Sequence, residues 1–360
     1  MSLPRTHLPL APSTPPYPLL LRPELFEKVW GGRRLESLGK ALPPGDARFG
    51  ESWELADMSA TSAGGAGGGA VHSLITNGAL AGKTIRDAAA LWRTALIASP
   101  APAFPLLIKF LDAAENLSVQ VHPSPALAAR TPGANLKTEC WYILAADPGA
   151  MIYKGIRPGV SRAEFERLAR SGLDKIVDAL IALPAVPGQM HNLPSGTVHA
   201  LGAGVLVAEV QTPSDTTYRL YDWGRRGRAL HIDESLASAS FPGEPGHDEL
   251  VRGMSVAALS PGELCARLVT TPFFTVDELR PLSGDEVTIG YTCSKSPASG
   301  GCFALMVIAG DARIESRAGS HFDPLPVRAG DTALIPAAIA RDTILRAGNG
   351  LRILRIAATA

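Results

Sequence analysis

Gln120 and His122 are the two residues of this sequence whose types and spacing are best suited to bind a metal ion. They lie two residues apart in a segment, residues 117–123, in which apolar and polar residues alternate. This alternation has the period of a half-buried β-strand, on which Gln120 and His122 point to the same face. A carboxamide and an imidazole side by side could both coordinate a cation, although the same pattern also fits the polar face of an ordinary surface strand.

Two further polar residues, Glu139 and His199, stand in apolar surroundings along the chain. A charged group buried in a barrel is costly unless it is paired or bound to a metal. With the first pair, these residues offer two imidazoles, one carboxylate and one amide oxygen, a donor set suited to Zn²⁺ and less selectively to other divalent ions. No cysteine joins the set, which favours a catalytic site with an open position over a closed structural site.

The elements that position these residues are predicted to be mainly short β-strands. The 36 glycines and 30 prolines separate short apolar runs, a pattern typical of an all-β sandwich or barrel. The predicted strands are Phe104–Leu111, Leu117–His122, Glu139–Ala145, Met190–Leu193, Val205–Gln211, Phe303–Ala309, Thr332–Pro336 and Leu351–Ile356. A helical segment is predicted around residues 161–183, beginning after the capping residue Ser161, and a shorter helix is predicted after Thr84.

A glycine turn followed by a strand and a proline occurs twice in the chain. Gly188 and Gly330 each precede a proline by six residues, and eleven residues after them stand His199 and Arg341. The pattern resembles that of the cupin barrels and predicts two jelly-roll units, of which only the first binds metal. We therefore expect a disordered leader over residues 1–20, a catalytic cupin domain over residues 21–260, and a C-terminal cupin-like domain without metal ligands over residues 261–360.

Charge and composition exclude several kinds of partner. Lys plus Arg and Asp plus Glu both number 34, so the formal net charge is zero, and neither nucleic acid nor a membrane is expected as a partner. The four cysteines show no Cys-x-x-Cys spacing and are too few for a disulfide framework. Because the N-terminus also lacks a signal-peptide pattern, we expect a reducing, cytoplasmic location and a monomer or small homo-oligomer.

Several motifs of the sequence resemble those of the type I mannose-6-phosphate isomerases, members of the cupin superfamily, in their shorter bacterial form. The matching segments are Phe104–Asp112, Leu117–Pro123, Lys137–Tyr142, Pro194–Ala200 and Ser214–Arg219, together with Val29–Gly32, Gly50–Glu54 and Leu230–Ile232. The resemblance implies a zinc-dependent aldose–ketose isomerase with one Zn²⁺ per chain. Such an enzyme interconverts mannose 6-phosphate and fructose 6-phosphate by moving a proton between C1 and C2 through a cis-enediol.

The resemblance also implies roles for individual residues. The residues that match the zinc ligands of the family are Gln120, His122, Glu139 and His199. The positions that match the sugar-phosphate pocket are Lys109, Ser118, Lys137 and the active-site arginine, Arg219. Arg219 and Lys137 could also stabilise the negative charge that develops on the enediol oxygens. The base that carries the proton stays open between Glu209, Asp215 and His231, with a carboxylate favoured.

Two other functions fit the same residues. A non-catalytic, sugar-sensing cupin would keep the pocket without turning a substrate over, and an isomerase of a different sugar or sugar phosphate would use the same ligands. The presence of Arg219 and of all four ligand positions favours an enzyme over a sensor. The ligand set does not distinguish among substrates, but a phosphate group would require Arg or Lys donors.

Overall fold

The computed structural model of the protein describes residues 14–59, 70–98, 103–291, 293, 301–317 and 322–359. Its α-helices are α1 (Ile85–Trp92), α2 (Thr94–Ile97), α3 (Pro125–Ala128), α4 (Arg162–Ser171), α5 (Ile232–Ser238) and α6 (His247–Gly253). Short 3₁₀ helices cover Arg34–Leu38, Gly78–Leu80, Asp174–Ala179 and Ala337–Ile339. None of these helices is long and apolar enough to cross a membrane.

Strands make up most of the regular structure. They are β1 (Leu19–Arg22), β2 (Glu24–Gly32), β3 (Phe49–Leu55), β4 (Asp57–Met58), β5 (Val71–His72), β6 (Leu74–Ile75), β7 (Leu107–Ala113), β8 (Val119–Val121), β9 (Glu139–Ala146), β10 (Met151–Ile156), β11 (Leu180–Pro184), β12 (Gln189–Leu193), β13 (His199–Leu201), β14 (Val205–Gln211), β15 (Tyr218–Tyr221), β16 (Val256–Ala258), β17 (Cys265–Thr270), β18 (Phe274–Leu279), β19 (Glu286–Thr288), β20 (Phe303–Ala309), β21 (Asp311–Ser316), β22 (Leu325–Arg328), β23 (Thr332–Ile335), β24 (Thr343–Ala347) and β25 (Arg352–Ala358). The expectation of a mainly β fold with helical insertions is therefore confirmed.

Four antiparallel sheets stack as consecutive layers. The first sheet has the strand order β11-β10-β13-β8-β15, and the second has the order β16-β12-β9-β14-β7-β3-β2. The third sheet has the order β17-β18-β25-β20-β23-β1-β6, and the fourth has the order β19-β24-β21-β22. A separate apolar core fills each space between neighbouring sheets, and α4 and α5 cover the outer face of the first sheet.

The alternation of side chains along the second sheet separates its apolar face from its polar face. On β7, Ile108 and Phe110 join the core against the third sheet, and on β9 Tyr142 does the same. Lys109 and Trp141, their neighbours in sequence, point the other way because successive strand residues face opposite sides. Polar residues of the second sheet therefore collect on the side that faces the first sheet.

The predicted strands and helix starts agree closely with the structure. Val205–Gln211 and Phe303–Ala309 are observed with the predicted bounds. Helix α1 begins after Thr84, whose side chain and that of Asp87 form a reciprocal capping box. Helix α4 begins after Ser161, whose side chain accepts a hydrogen bond from the backbone three residues later.

Two predicted segments differ from the structure. The helical segment expected around residues 161–183 ends before Leu180, which begins β11 and pairs with Ile156 of β10. Of the leader expected to be disordered, residues 1–13 lie outside the described residues, but its last residues are ordered. Leu19 is fully buried and pairs with Leu334 of β23, because an apolar strand within the third sheet, between β23 and β6, is stabilised by burial. The domain limits near residues 21 and 260 stay predictions.

Cys265 and Cys293 form a disulfide, a pairing that the small number of cysteines did not lead us to expect. Their Cα atoms lie 5.5 Å apart although 28 residues separate them in sequence. The contact depends on how β17 meets the turn at Cys293, which no local pattern encodes. The other two cysteines, Cys140 and Cys302, are free and buried. The disulfide removes the argument for a reducing compartment that was based on the cysteines, and the cytoplasmic location stays a prediction.

Lys154 and His191 are buried together, and their charges predict a pH dependence of stability. Lys154 donates to backbone carbonyls, among them that of Met254 at 3.0 Å, and burial lowers its pKa to about 8. Burial, and then the charge of Lys154, lowers the pKa of His191 to about 4. The folded state therefore disfavours a proton that the unfolded chain takes up near pH 6.5, so stability is lost as the pH falls from 6.5 towards 4.

The His191→Gln variant tests this dependence. Between pH 7 and pH 4.5, His191 is expected to cost the wild type roughly 2–3 kcal/mol of its free energy of unfolding, a loss that the variant avoids. Urea unfolding of both proteins at the two pH values measures the difference. Equal losses in the two proteins would show that His191 takes up its proton equally in both states.

Candidate active site

Opposed residues on neighbouring strands of the first sheet form a row of polar side chains. From β10 through β13 and β8 to β15, the row consists of Lys154, His199, Gln120 and Arg219. Directly opposed residues of antiparallel strands point to the same face. The antiparallel register therefore brings His199, 79 residues further along the chain, beside Gln120.

The second sheet contributes a matching row on its facing side. From β7 through β14 and β9 to β12, this row consists of Lys109, Glu209, Trp141 and His191. Glu139 lies two residues before Trp141 on β9 and so points to the same side. The Trp141 ring stands edge-on to that of His199, with the ring centroids 5.4 Å apart, which shows that the two rows meet.

A cavity of about 550 Å³ opens at the junction of the two rows. The predicted site residues that line it are Lys109, Ser118, Gln120, Lys137, Glu209, Asp215 and Arg219. The remaining three, His122, Glu139 and His199, are almost completely buried and contact the lining through Gln120 and Lys137. The structure therefore brings together all of the residues that the sequence singled out.

His122, Glu139 and His199 form a cluster in which one ligand atom from each residue lies within 4.8 Å of the others. The Nε2 atom of His122 lies 3.1 Å from Oε2 of Glu139, and Nε2 of His199 lies 3.3 Å from Oε1. Oε1 is buried and has no hydrogen-bond partner within the described part of the chain. A buried carboxylate oxygen facing two imidazole nitrogens is an arrangement that a bound cation would stabilise.

The hydrogen bonds of the two histidines fix the ring nitrogen that each presents to the cluster. Nδ1 of His122 lies 2.9 Å from the backbone carbonyl of Thr216, and Nδ1 of His199 lies 2.8 Å from that of Thr197. A carbonyl only accepts, so each Nδ1 carries the proton and each Nε2 keeps its lone pair towards Glu139. Histidine ligands of metals are typically oriented by such bonds.

Gln120 completes the cluster on the cavity side. Its side-chain nitrogen lies 3.2 Å from Nε2 of His199, and its oxygen accepts a hydrogen bond from Ser118 at 3.2 Å. A half-turn of the terminal amide exchanges the two atoms and directs the oxygen towards the histidines. Gln120 is thus placed to act as a fourth, weaker ligand, and Ser118 is placed to orient it.

Lys137 lies against the cluster and affects its ionisation. Its Nζ atom is 2.8 Å from Oε2 of Glu139 and 3.2 Å from Nε2 of His122. Burial would raise the pKa of Glu139, but the charge of Lys137 and the contact with His122 outweigh it and hold this pKa well below its usual range. Burial, and then the charge of Lys137, lowers the pKa of His122 to about 4. Near neutral pH the cluster therefore presents a carboxylate and a neutral imidazole, the forms that bind metals.

A second charged group, centred on Lys109, lines the same cavity. Lys109 Nζ lies 3.3 Å from Glu209 and 3.8 Å from Glu51, and it stands over the Trp53 ring at 4.9 Å from the centroid. Burial would raise the pKa of Glu51, but Lys109 and Lys28 outweigh it and lower this pKa to about 2. Lys109 therefore lies between two carboxylates of the cavity.

Glu51, Trp53 and Lys28 are cavity residues that the sequence analysis did not assign to the site. The segment Gly50–Glu54 was recognised only as a match to a family. Its alternation would have separated Glu51 and Trp53, which face the cavity, from Glu54, which is buried on the other side and paired with Lys40 at 2.8 Å. The alternation was present in the sequence, but the sequence did not show which face of this strand lines the cavity.

Arg219, which matches the active-site arginine of the family, and Asp215, a candidate base, both line the cavity. Arg219 is half-buried and donates through Nη1 to the backbone carbonyl of Ala229 at 2.8 Å. His231 lies at the same rim, where its Nδ1 atom accepts a hydrogen bond from the backbone of Arg219. The roles assigned to these residues stay predictions.

Comparison with known proteins adds a family assignment to this geometry. Residues 19–148 match the family model of the phosphomannose isomerase type I catalytic domain. A mannose-6-phosphate isomerase of Streptococcus mutans is 37% identical over 266 residues, which cover 72% of this chain and 77% of that protein.

Solved structures show the same fold. The crystal structure of the mannose 6-phosphate isomerase from Bacillus subtilis matches 94% of this chain and 99% of its own, at 27% identity and a TM-score of 0.75. A zinc-bound mannose 6-phosphate isomerase matches 95% of this chain and 100% of its own, at 18% identity and a TM-score of 0.69, a likeness that concerns the fold.

Proposed function

This chain belongs to the type I phosphomannose isomerases, and we propose that it interconverts mannose 6-phosphate and fructose 6-phosphate with one zinc ion per chain. That it is an isomerase of this family follows from its identity to curated relatives. The proposed substrate and zinc ion rest on one observation, the buried cluster of His122, Glu139 and His199 beside a cavity lined with lysine and arginine side chains.

The donor set fits zinc. Two neutral imidazoles and a carboxylate form a common set for a catalytic Zn²⁺, which keeps a further position for substrate. Gln120, which lines the cavity, would lie next to this open position. The ion would polarise the sugar carbonyl and so make the neighbouring C–H bond acidic. A related fold solved with zinc agrees with this assignment.

The residues of the chain would provide the proton transfer. Glu209 lies in the cavity wall, where Trp141 donates to its Oε2 atom at 2.9 Å and Lys109 lies beside its Oε1 atom. We assign it as the base that moves the proton between C2 and C1, because both contacts hold its carboxylate in place in the cavity wall. Arg219 and Lys137 would stabilise the negative charge of the cis-enediol. Asp215 is the alternative base.

The proposed function includes two proposals about the fold, one on the jelly-roll units and one on the metal content of the C-terminal unit. The first and second sheets would form one cupin-like jelly roll, which encloses the site, and the third and fourth sheets would form another. The core between the third and fourth sheets is apolar, with residues such as Leu305, Ile314 and Ile353. Within the described residues no second cluster of metal-ligating side chains occurs. We therefore propose that the C-terminal unit binds no catalytic metal.

Removal of the metal tests the proposed function directly. Treatment of the purified protein with a chelator, followed by desalting, is expected to reduce the conversion of mannose 6-phosphate to below about 1% of the untreated rate, because carbonyl polarisation is worth several kcal/mol. Added Zn²⁺ is expected to restore the rate. Metal analysis and a coupled assay for fructose 6-phosphate measure both effects.

The same assay separates the other functions. A fully zinc-loaded protein that binds mannose 6-phosphate without turnover would be a sugar sensor. Faster conversion of another sugar phosphate, or of a sugar without phosphate, would show a different substrate for the same machinery. A cytoplasmic location and a monomer or small homo-oligomer remain part of the proposal.

A further inference from the structure

The lysines of the cavity are each neutralised by carboxylates of the protein. Lys109 lies within 3.8 Å of both Glu51 and Glu209, and Lys137 lies 2.8 Å from Glu139. A dianionic phosphate group requires cations in addition to those that balance the protein's own acids. This part of the cavity therefore does not supply a strong phosphate site.

Arg219 and Arg228 also line the cavity, and arginines outnumber buried carboxylates there, because Arg228 shares the single carboxylate of Asp222 with Arg225. Nε of Arg219 is buried without a hydrogen-bond partner, and within the described residues no carboxylate forms an ion pair with its guanidinium. Burial, and then the positive charge of Arg228, lowers the pKa of Arg219. Because like charges repel, an anion bound beside Arg219 would offset the effect of Arg228 on it.

Asp222 fixes the position of Arg228. It is 3% exposed and accepts hydrogen bonds from Nε of Arg228 at 2.8 Å and from Nη2 of the same residue. It also accepts hydrogen bonds from Arg225, which donates in addition to the backbone carbonyl of Asn116 and to the carboxylate of Glu115. Arg225 does not line the cavity, whereas Arg228 does. A single carboxylate thus anchors two arginines, and only Arg228 faces the ligand space.

We propose that Arg228, held by Asp222, binds the phosphate group of the substrate together with Arg219, and so selects phosphorylated sugars. Arg219 lies opposite Gln120 on the neighbouring strand. The backbones of such residues are about 5 Å apart, so a hexose phosphate is long enough to reach from these arginines to the metal cluster. The identity of the sugar rests on the proposed function, whereas the binding of phosphate by Arg228 can be tested separately.

The variants Arg228→Gln and Arg225→Gln form a matched pair, because each removes one arginine from Asp222 and only the first removes a cavity residue. In Arg228→Gln we expect the KM for mannose 6-phosphate to rise roughly 10- to 100-fold, with kcat within about 3-fold of wild type. The inhibition constant of inorganic phosphate is expected to rise in parallel. Arg228→Lys, which keeps the charge, is expected to recover part of the loss.

Two results would overturn the inference. One is a KM and a phosphate inhibition constant in Arg228→Gln within about 3-fold of wild type. The other is an equal loss in Arg225→Gln, which would assign the effect to packing around Asp222. If the wild type fails to convert mannose 6-phosphate, the proposed function falls. Calorimetric titration of inorganic phosphate into the wild type and Arg228→Gln then decides the inference, which fails if the two affinities are equal.

Discussion

The His122→Ala variant is expected to lose its metal and at least about 10³-fold in kcat/KM for mannose 6-phosphate. His122 contributes one of three buried ligands, and its Nε2 atom lies 3.1 Å from Glu139. Carbonyl polarisation by the metal is worth several kcal/mol, and about 4 kcal/mol corresponds to a 10³-fold change in rate. Metal analysis after dialysis and steady-state kinetics measure the two losses.

His72→Ala is a matched control for this variant. His72 also forms an imidazole–carboxylate contact, at 2.8 Å from Asp57, but it does not line the cavity. We expect the control to keep its metal and its activity. The fold of His122→Ala should persist, because Lys137 remains paired with Glu139 at 2.8 Å, and circular dichroism checks this. A His122→Ala protein that kept both its metal and full activity would show that the site is assigned wrongly.

The Glu209→Gln variant is expected to lose about 10²- to 10⁴-fold in kcat while it retains its metal, since a positioned base contributes that much to proton transfer. Glu209 does not belong to the cluster of metal-ligating residues, and Lys109 would still be paired with Glu51 at 3.8 Å. The measurement is the exchange of the transferred proton with solvent. In D₂O, nuclear magnetic resonance should show deuterium entering C2 of mannose 6-phosphate with the wild type and far more slowly with the variant.

Asp215→Asn is the comparison that identifies the base. Asp215 lines the same cavity and is the other carboxylate candidate. If Asp215→Asn stopped the exchange and Glu209→Gln left it within about 3-fold of wild type, Asp215 would carry the proton. Loss of metal in Glu209→Gln would instead show that Glu209 supports the cluster, and the assignment as base would be withdrawn.

Local patterns in the sequence were sufficient for the eight strands predicted from them and for the types of residue that form the site, but not for the remaining strands. Alternation along residues 117–123 placed Gln120 and His122 on one face. Capping residues marked the helix starts after Thr84 and Ser161, where the structure has them. These features succeed because each depends on residues within a few positions of one another.

Features that depend on which strands become neighbours could not be obtained in this way. The strand at Leu180–Pro184 replaced part of an expected helix, because its pairing with β10 outweighs the helical pattern before it. Leu19 was placed in a disordered leader, yet it pairs with Leu334, more than 300 residues away in sequence. In both cases the stabilising partner is distant in the chain, so no local window contains the signal.

The sequence by itself determined the chemistry that is available to this protein: two histidines, a glutamate and a glutamine on strands of suitable period, with arginines and lysines nearby. Only the tertiary structure decided how the charges are distributed. It pairs Lys109 and Lys137 with carboxylates, whereas Arg219 has no ion pair within the described residues and Arg228 shares Asp222 with Arg225. The reason is that an ion pair requires a separation of a few ångströms, which the sheet register and the packing of the sheets determine.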